Sequence, residues 1–149
     1  MNKFITFTFL LFSLSSFAQN RNEIISIMKE YSANIGKPNY SHEFVDKKLN
    51  PALVKLETIV CKNHDKELFH YFLDMILATS GSANETPADV LGGIFICQTD
   101  LVITELKGNY KIESLIEDLN FGFGNRTFDV NDRPSNYKEL KLRIKEISN

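Results

Sequence analysis

The sequence predicts an all-α protein, a compact antiparallel array of six to seven short helices, and three observations support this prediction. Apolar residues recur at the three-to-four-residue spacing of a helix face through most of the chain after residue 20. Capping residues, glycines and prolines fall where these periodic stretches begin and end. No stretch alternates apolar and polar residues for long enough to predict a strand. The array is expected to be a closed bundle or a small solenoid-like stack.

The first predicted helix ends at Gly36, a residue that readily adopts the left-handed conformation found after helices. A polar connector is expected at 37–50, and a single helical turn around Phe44 and Val45 is the alternative to an irregular connector. Asn50 and Pro51 then predict a cap followed by proline at the first position of the second helix. The apolar face of the first helix comprises Ile24, Ile27 or Met28, Tyr31 and Ile35.

The next helix is expected to be the central one. Asp65 can cap it, and the following sequence KELFHYFLDMILATS is apolar over most of its circumference. Such a helix must be covered by neighbours on several sides. Its only polar stripe is Glu67, His70 and Asp74, which is expected to face solvent.

The stretch SGSANETP, which follows this helix, is predicted to be a corner between two helices. Gly81 ends one helix, and Thr86 with Pro87 provides a cap and a first-position proline for the next. Gly92 and Gly93 then lower the helix propensity by about 1 kcal/mol each relative to alanine. A close approach by a neighbouring helix is the expected reason for their presence.

Residues 120–136 break the helical pattern and predict one long irregular loop before a last helix that begins at about Tyr137. Long loops in compact domains are often functional. Aromatic and arginine side chains are also enriched among the residues that dominate binding energy. The loop is therefore interpreted either as a partner-binding segment or as a segment that packs its rings into the core. The binding residues in the first interpretation are Phe121, Phe123, Arg126, Asp129 and Arg133.

The first 18 residues have the layout of a secretory signal peptide. Lys3 precedes an apolar stretch, and the small residues Ser16 and Ala18 precede a cut before Gln19. The apolar stretch is shorter than the roughly 20 residues of a membrane span. The expected product is a single helical domain at 19–149, periplasmic or secreted, with no membrane span after cleavage.

Two cysteines, Cys61 and Cys97, remain in this exported domain. In an oxidising compartment a lone pair commonly forms a disulfide, and this pairing is predicted here. Two separate buried thiols are the alternative.

The chain has 17 basic and 19 acidic residues in a mixed distribution. Nucleic acid is therefore not an expected partner, because binding its phosphates requires a basic patch.

The sequence lacks a recognisable catalytic constellation, and no cofactor is predicted. It has no zinc-protease helix motif, phosphate-binding glycine loop or nucleophile elbow. The expected function is binding of another protein in the cell envelope or outside the cell, including capture or neutralisation of that protein. The alternative is a small metal-dependent hydrolase that uses Glu67, His70 and Asp74, because a glutamate and a histidine three residues apart share a helix face.

Overall fold

The structure is a computed structural model that describes residues 20–37 and 41–148. These ranges form helices and turns and contain no strand, so the predicted all-α fold is confirmed. The predicted signal peptide, residues 1–18, lies outside the described residues. The helices are α1 (20–34), α2 (His42–Phe44), α3 (Asn50–Asn63), α4 (Lys66–Ala78), α5 (Thr86–Cys97), α6 (Thr99–Lys107), α7 (Glu113–Arg126) and α8 (Tyr137–Ser148), with a π-helical turn at Val45–Leu49 and a 3₁₀ turn at Val130–Asp132.

Helix α1 covers one side of the core. Ile24, Met28 and Tyr31 are buried, as the predicted apolar face requires. Gly36 follows the helix with a φ of +79°, the left-handed conformation that ends it. The buried residues of α1 belong to the same hydrophobic cluster as those of α8, so one core spans the described helices.

Residues 42–63 form one continuous helical run, which corrects the prediction that Asn50 caps a new helix. Asn50 has helical backbone angles, φ −58° and ψ −45°, and therefore lies inside the run. Pro51 lacks an N–H group, and in a regular α-helix its ring would collide with the carbonyl group four residues earlier. The wider π-helical turn at Val45–Leu49 lies just before Asn50 and contains Lys47, the residue whose carbonyl group would collide with the proline ring.

Helix α4 contributes a large apolar face to the core, but α5 has more buried residues and more extensive contacts among the described helices, so the prediction that α4 is the central helix is not confirmed. Asp65 caps α4, because its Oδ1 accepts a hydrogen bond from the Leu68 N–H at 2.9 Å. The same carboxylate accepts a hydrogen bond from Arg21 Nε at 2.8 Å, which joins the start of α1 to the start of α4. Burial raises the pKa of Asp65, but these hydrogen bonds outweigh burial and hold that pKa below its ordinary value. The buried side chains of α4 are Leu68, Phe69, Phe72, Leu73, Met75 and Ile76.

Helices α5 and α7 have the most extensive contact of any pair of described helices. Glycines make this contact possible. A Cβ atom on Gly92 would overlap the backbone of Gly122, and a Cβ atom on Gly122 would overlap the backbone of Ala88. Gly93 faces another neighbour, since a Cβ atom there would overlap the Glu57 carboxylate of α3. The close approach predicted at Gly92 and Gly93 is therefore confirmed, with α7 at the first glycine and α3 at the second.

Helix α7 continues to Arg126, so the irregular segment predicted at 120–136 is shorter than expected and spans residues 127–136. Tertiary packing explains the difference. The face of α7 that carries Gly122 and Phe123 is buried against its neighbours, and this burial outweighs the low helix propensity of the glycines. Helix α8 begins at Tyr137, as predicted.

The predicted disulfide between Cys61 and Cys97 is present, with the two Cα atoms 5.6 Å apart. It joins α3 to the end of α5 and closes a loop that includes the whole of α4. Beside it, Gln98 Nε2 donates a hydrogen bond to the Cys61 carbonyl oxygen at 2.8 Å.

None of the described helices combines the length and the apolar composition that a bilayer crossing requires.

Candidate functional site

The five residues predicted to bind a partner do not form one surface. Phe121, Arg126, Asp129 and Arg133 are exposed, whereas Phe123 is only 5% exposed. The prediction that Phe123 contacts a partner is therefore corrected, and the packing interpretation holds for this ring. The physical reason is its position directly after Gly122, on the face of α7 that meets α5.

The Phe123 ring is held by two other rings of the core. It meets Phe95 of α5 edge to face, with the ring centroids 5.6 Å apart. It stacks on Tyr137 of α8 with a centroid distance of 5.8 Å and an interplanar angle of 11°. Both arrangements are favourable for aromatic pairs. Phe123 therefore joins α5, α7 and α8, and its role is structural.

Arg126 also makes its contacts within the fold. Its Nη2 lies 2.7 Å from Glu57 Oε2 on α3, and its Nε donates a hydrogen bond to the Asp89 carbonyl oxygen at 3.2 Å. The neighbouring Asn125 Nδ2 donates to Asp89 Oδ1 at 2.8 Å. Burial raises the pKa of Glu57 above its ordinary value, even though Arg126 acts to lower it. These bonds fasten the end of α7 to α3 and α5.

The connection at residues 127–136, termed the apolar loop, is held by its own hydrogen bonds. Arg133 Nε donates to the Thr127 carbonyl oxygen at 2.9 Å, and the Arg133 guanidinium lies 4.7 Å above the Tyr137 ring. Asp129 Oδ1 accepts a hydrogen bond from the Asn131 N–H at 2.8 Å, which forms a local turn. Two of the predicted binding residues, Asp129 and Arg133, thus shape the loop.

Two apolar side chains project from this loop into water. Phe128 is 86% exposed and Val130 is 69% exposed, the highest values among the large hydrophobic residues described. Phe128 lies within the loop predicted at 120–136, but neither residue is among the five predicted to bind a partner. Phe123 and Phe128 both lie in a stretch rich in glycine and polar residues, so local composition does not distinguish the buried ring from the exposed one. The only available signal was the alternation of Phe128 and Val130 with polar neighbours.

The structure gives Glu67, His70 and Asp74 three different bonding partners. Glu67 Oε2 pairs with Arg21 Nη2 at 2.7 Å. His70 bonds to a carboxylate of α6, and Asp74 accepts a hydrogen bond from the Tyr110 hydroxyl at 2.9 Å. Across residues 20–37 and 41–148, no group of three histidine, cysteine, aspartate or glutamate side chains is arranged to hold a metal ion.

The carboxylate that meets His70 belongs to Glu105, which is only 2% exposed. Its Oε1 lies 2.7 Å from Lys66 Nζ, and its Oε2 lies 2.8 Å from His70 Nε2. Burial raises the pKa of Glu105, but the bonds from Lys66 and His70 outweigh burial and hold that pKa below its ordinary value. Glu105 was not among the predicted site residues. The available signal was its position three residues after Val102, on the buried side of α6.

Tyr110 extends this network beyond Glu105. Its ring centroid lies 5.5 Å from that of His70, and its hydroxyl donates to Asp74 Oδ1. Burial and the Asp74 carboxylate raise the pKa of Tyr110 to about 12. The network therefore joins α4 to α6 and to the turn after α6. It also shows that the polar stripe of α4 is not simply a solvent-facing strip.

Comparisons of this chain with protein-family models, with curated proteins and with solved structures find no match. The described residues define an all-α domain with one disulfide and a short, ordered loop that exposes Phe128 and Val130.

Proposed function

We propose that the protein is an exported binding protein that holds another protein through its apolar loop, residues 127–136. The supporting observation is the exposure of Phe128 and Val130, two residues apart, at 86% and 69%. Burial of apolar surface is favourable by about 25 cal/mol per Å², so these two side chains offer binding energy to a complementary surface. Aromatic anchors near the centre of an interface commonly provide most of its affinity.

The hydrogen bonds within the apolar loop support the same proposal. Arg133 fixes the end of the loop to Thr127, and Asp129 fixes the turn that carries Val130. A segment that is already ordered loses less conformational entropy when it binds than a flexible segment does. The loop therefore presents its apolar side chains at a lower entropic cost than a mobile chain.

The charges of the loop indicate the chemistry of the partner. Asp129 and Asp132 are exposed, and neither makes an ion pair within the described part of the chain. The Arg133 side chain already contacts the Tyr137 ring and donates a hydrogen bond to the Thr127 carbonyl oxygen. The complementary surface is therefore an apolar pocket bordered by basic side chains. The signal-like sequence at 1–18 and the disulfide support a periplasmic or extracellular setting, where a toxin or a hydrolase is one class of such partner.

The test is affinity capture from the native envelope fraction with wild-type protein and two variants, followed by measurement of the dissociation constant for the captured protein. Phe128→Ser removes the most exposed ring. Leu142→Ser is the matched control, because Leu142 is 64% exposed but lies on α8. An aromatic anchor typically contributes about 2 kcal/mol or more to the free energy of binding. Phe128→Ser should therefore raise the dissociation constant by roughly 30-fold.

The control should bind within about twofold of the wild type, since surface substitutions away from special features usually change free energies by less than about 0.5 kcal/mol. Circular dichroism and thermal unfolding would verify that both variants are folded. The proposal fails if Phe128→Ser binds the captured protein as tightly as the Leu142→Ser control does.

A further inference from the structure

A large open cavity lies on another part of the molecule, where α1 ends. Its volume is about 550 Å³, within the range of about 300–1,000 Å³ typical of small-molecule sites. Three segments line it: residues 31–36 at the end of α1, the helical run at 41–50, and the stretch 78–84 that begins at the end of α4. Residues 79–84, termed the corner loop, were predicted to serve only as a connection, and they form one wall.

The cavity wall carries hydrogen-bonding groups that have no partner among the described residues. These are the hydroxyls of Ser41, Ser80 and Ser82 and the carboxylate of Asp46, none of which makes a hydrogen bond within residues 20–37 and 41–148. Three hydroxyls can each donate and accept, and the carboxylate can accept several bonds. The wall can therefore hydrogen-bond a ligand without breaking existing contacts.

Two amides complete the polar wall. Asn84 Nδ2 donates to Asn50 Oδ1 at 3.2 Å, and Asn84 Oδ1 accepts from the Thr86 N–H at 3.2 Å. These bonds hold Asn84 and the side-chain carbonyl oxygen of Asn50. The side-chain amide protons of Asn50 have no acceptor among the described residues. Within the corner loop, Gly81 adopts the left-handed conformation, with a φ of +84°. The bonds of Asn84 therefore tie the corner loop to the helical run at 41–50 and to the start of α5.

Asp46 reaches the cavity from an unusual element. It lies in the π-helical turn Val45–Leu49, and such single turns within helices occur frequently at functional sites. The turn contains Lys47, whose carbonyl group the Pro51 ring would meet in a regular α-helix. The widened turn also provides Asp46 and Val45 to the same wall. One carboxylate and one aliphatic group thus lie side by side within this turn.

We infer that this cavity binds a short neutral saccharide. The described lining residues include one histidine, His42, the unpaired carboxylate of Asp46 and no lysine or arginine, so the wall offers no permanent positive charge to an anionic ligand. Hydroxyls, amides and a carboxylate match the donors and acceptors of sugar hydroxyl groups. The aliphatic residues Ile35, Val45 and Ala78 provide contact for the C–H faces of a sugar ring.

The test is a titration of the ¹⁵N-labelled full chain with N-acetylglucosamine, with glucose and with the anionic sugar glucuronate, followed by amide chemical shifts. Saturable shifts are expected in the corner loop and at residues 41–46 with the neutral sugars. Glucuronate should bind at least tenfold more weakly. Asp46→Asn should weaken binding of the neutral sugars about tenfold, because a charged acceptor is replaced by a neutral amide oxygen, which accepts a weaker hydrogen bond.

Asp132→Asn is the matched control, since Asp132 is an exposed carboxylate in the apolar loop and lies outside the cavity. Its titration should equal that of the wild type. The inference is overturned if neither neutral sugar causes saturable shifts at these residues up to about 20 mM, well above a millimolar dissociation constant. Equal binding by Asp46→Asn, or tighter binding of glucuronate, would also overturn it. Phe128→Ser should leave the titration unchanged, so this result is separable from protein capture.

Discussion

The contact between α5 and α7 predicts a sharp difference between two glycines of the same helix. Gly122 lies where α7 meets α5, and a Cβ atom there would overlap the backbone carbonyl group of Ala88. Gly124 lies two residues later, and a Cβ atom there would meet nothing within 4 Å. Both residues lie inside α7, so both gain helix propensity when they are changed to alanine.

The expected magnitude follows from two opposing effects. Alanine in place of a helical glycine stabilises by about 1 kcal/mol. At Gly122 the added methyl group meets backbone, which cannot rotate away, so the cost is at the upper end of overpacking, about 3 kcal/mol. The net expectation for Gly122→Ala is a loss of about 2 kcal/mol. A forced separation of the helices would also weaken the contact between Phe95 and Phe123.

For Gly124→Ala no overlap opposes the propensity gain, so the variant should be more stable by about 0.5–1 kcal/mol. In a domain of this size 1 kcal/mol corresponds to roughly 4 °C in the unfolding midpoint. Gly122→Ala should therefore lower the midpoint by about 8 °C, and Gly124→Ala should raise it by about 3 °C. Thermal unfolding followed by circular dichroism, with urea unfolding as a second measure, would determine both values.

The packing argument is refuted if Gly122→Ala is as stable as the wild type, because the α5–α7 approach would then tolerate a methyl group. A loss of stability in Gly124→Ala would refute the propensity argument instead.

The remaining predictions concern the disulfide and the buried carboxylate. Replacing Cys61 and Cys97 by alanine removes a cross-link that spans 36 residues and should lower the free energy of unfolding by about 4 kcal/mol. A reductant should lower the free energy of unfolding of the wild type by a similar amount and leave that of the alanine variant unchanged. An effect of the reductant on the alanine variant would contradict the assignment of its action to the Cys61–Cys97 disulfide. Because the pKa of Glu105 is held below its ordinary 4.5, its stabilising contribution is present above pH 4.5 and is lost as the pH falls through the lower folded-state value. Glu105→Gln should lower the free energy of unfolding at neutral pH by about 2 kcal/mol and flatten its acid decline in urea titrations, whereas the exposed Glu113→Gln control should keep the wild-type slope.

The sequence alone was sufficient to predict the features that depend only on residues close together along the chain. Capping by Asp65, helix termination at Gly36 and Gly81, and the apolar circumference of α4 follow from backbone preference and helical periodicity, which act over a few residues. The pairing of two cysteines also needed little more than their number and the predicted compartment. The all-α class and the strongly apolar character of α4 could therefore be predicted from the chain alone.

Tertiary structure decided the features that depend on which surfaces meet. Gly122 and Phe123 read locally as loop residues, yet contact with α5 makes them helical and buries the ring. Glu105 is buried because Lys66 and His70 of another helix reach it. The sequence could not show that Phe123 lies inside and Phe128 outside, because that difference is set by contacts between residues far apart along the chain, and local periodicity carries no information about them.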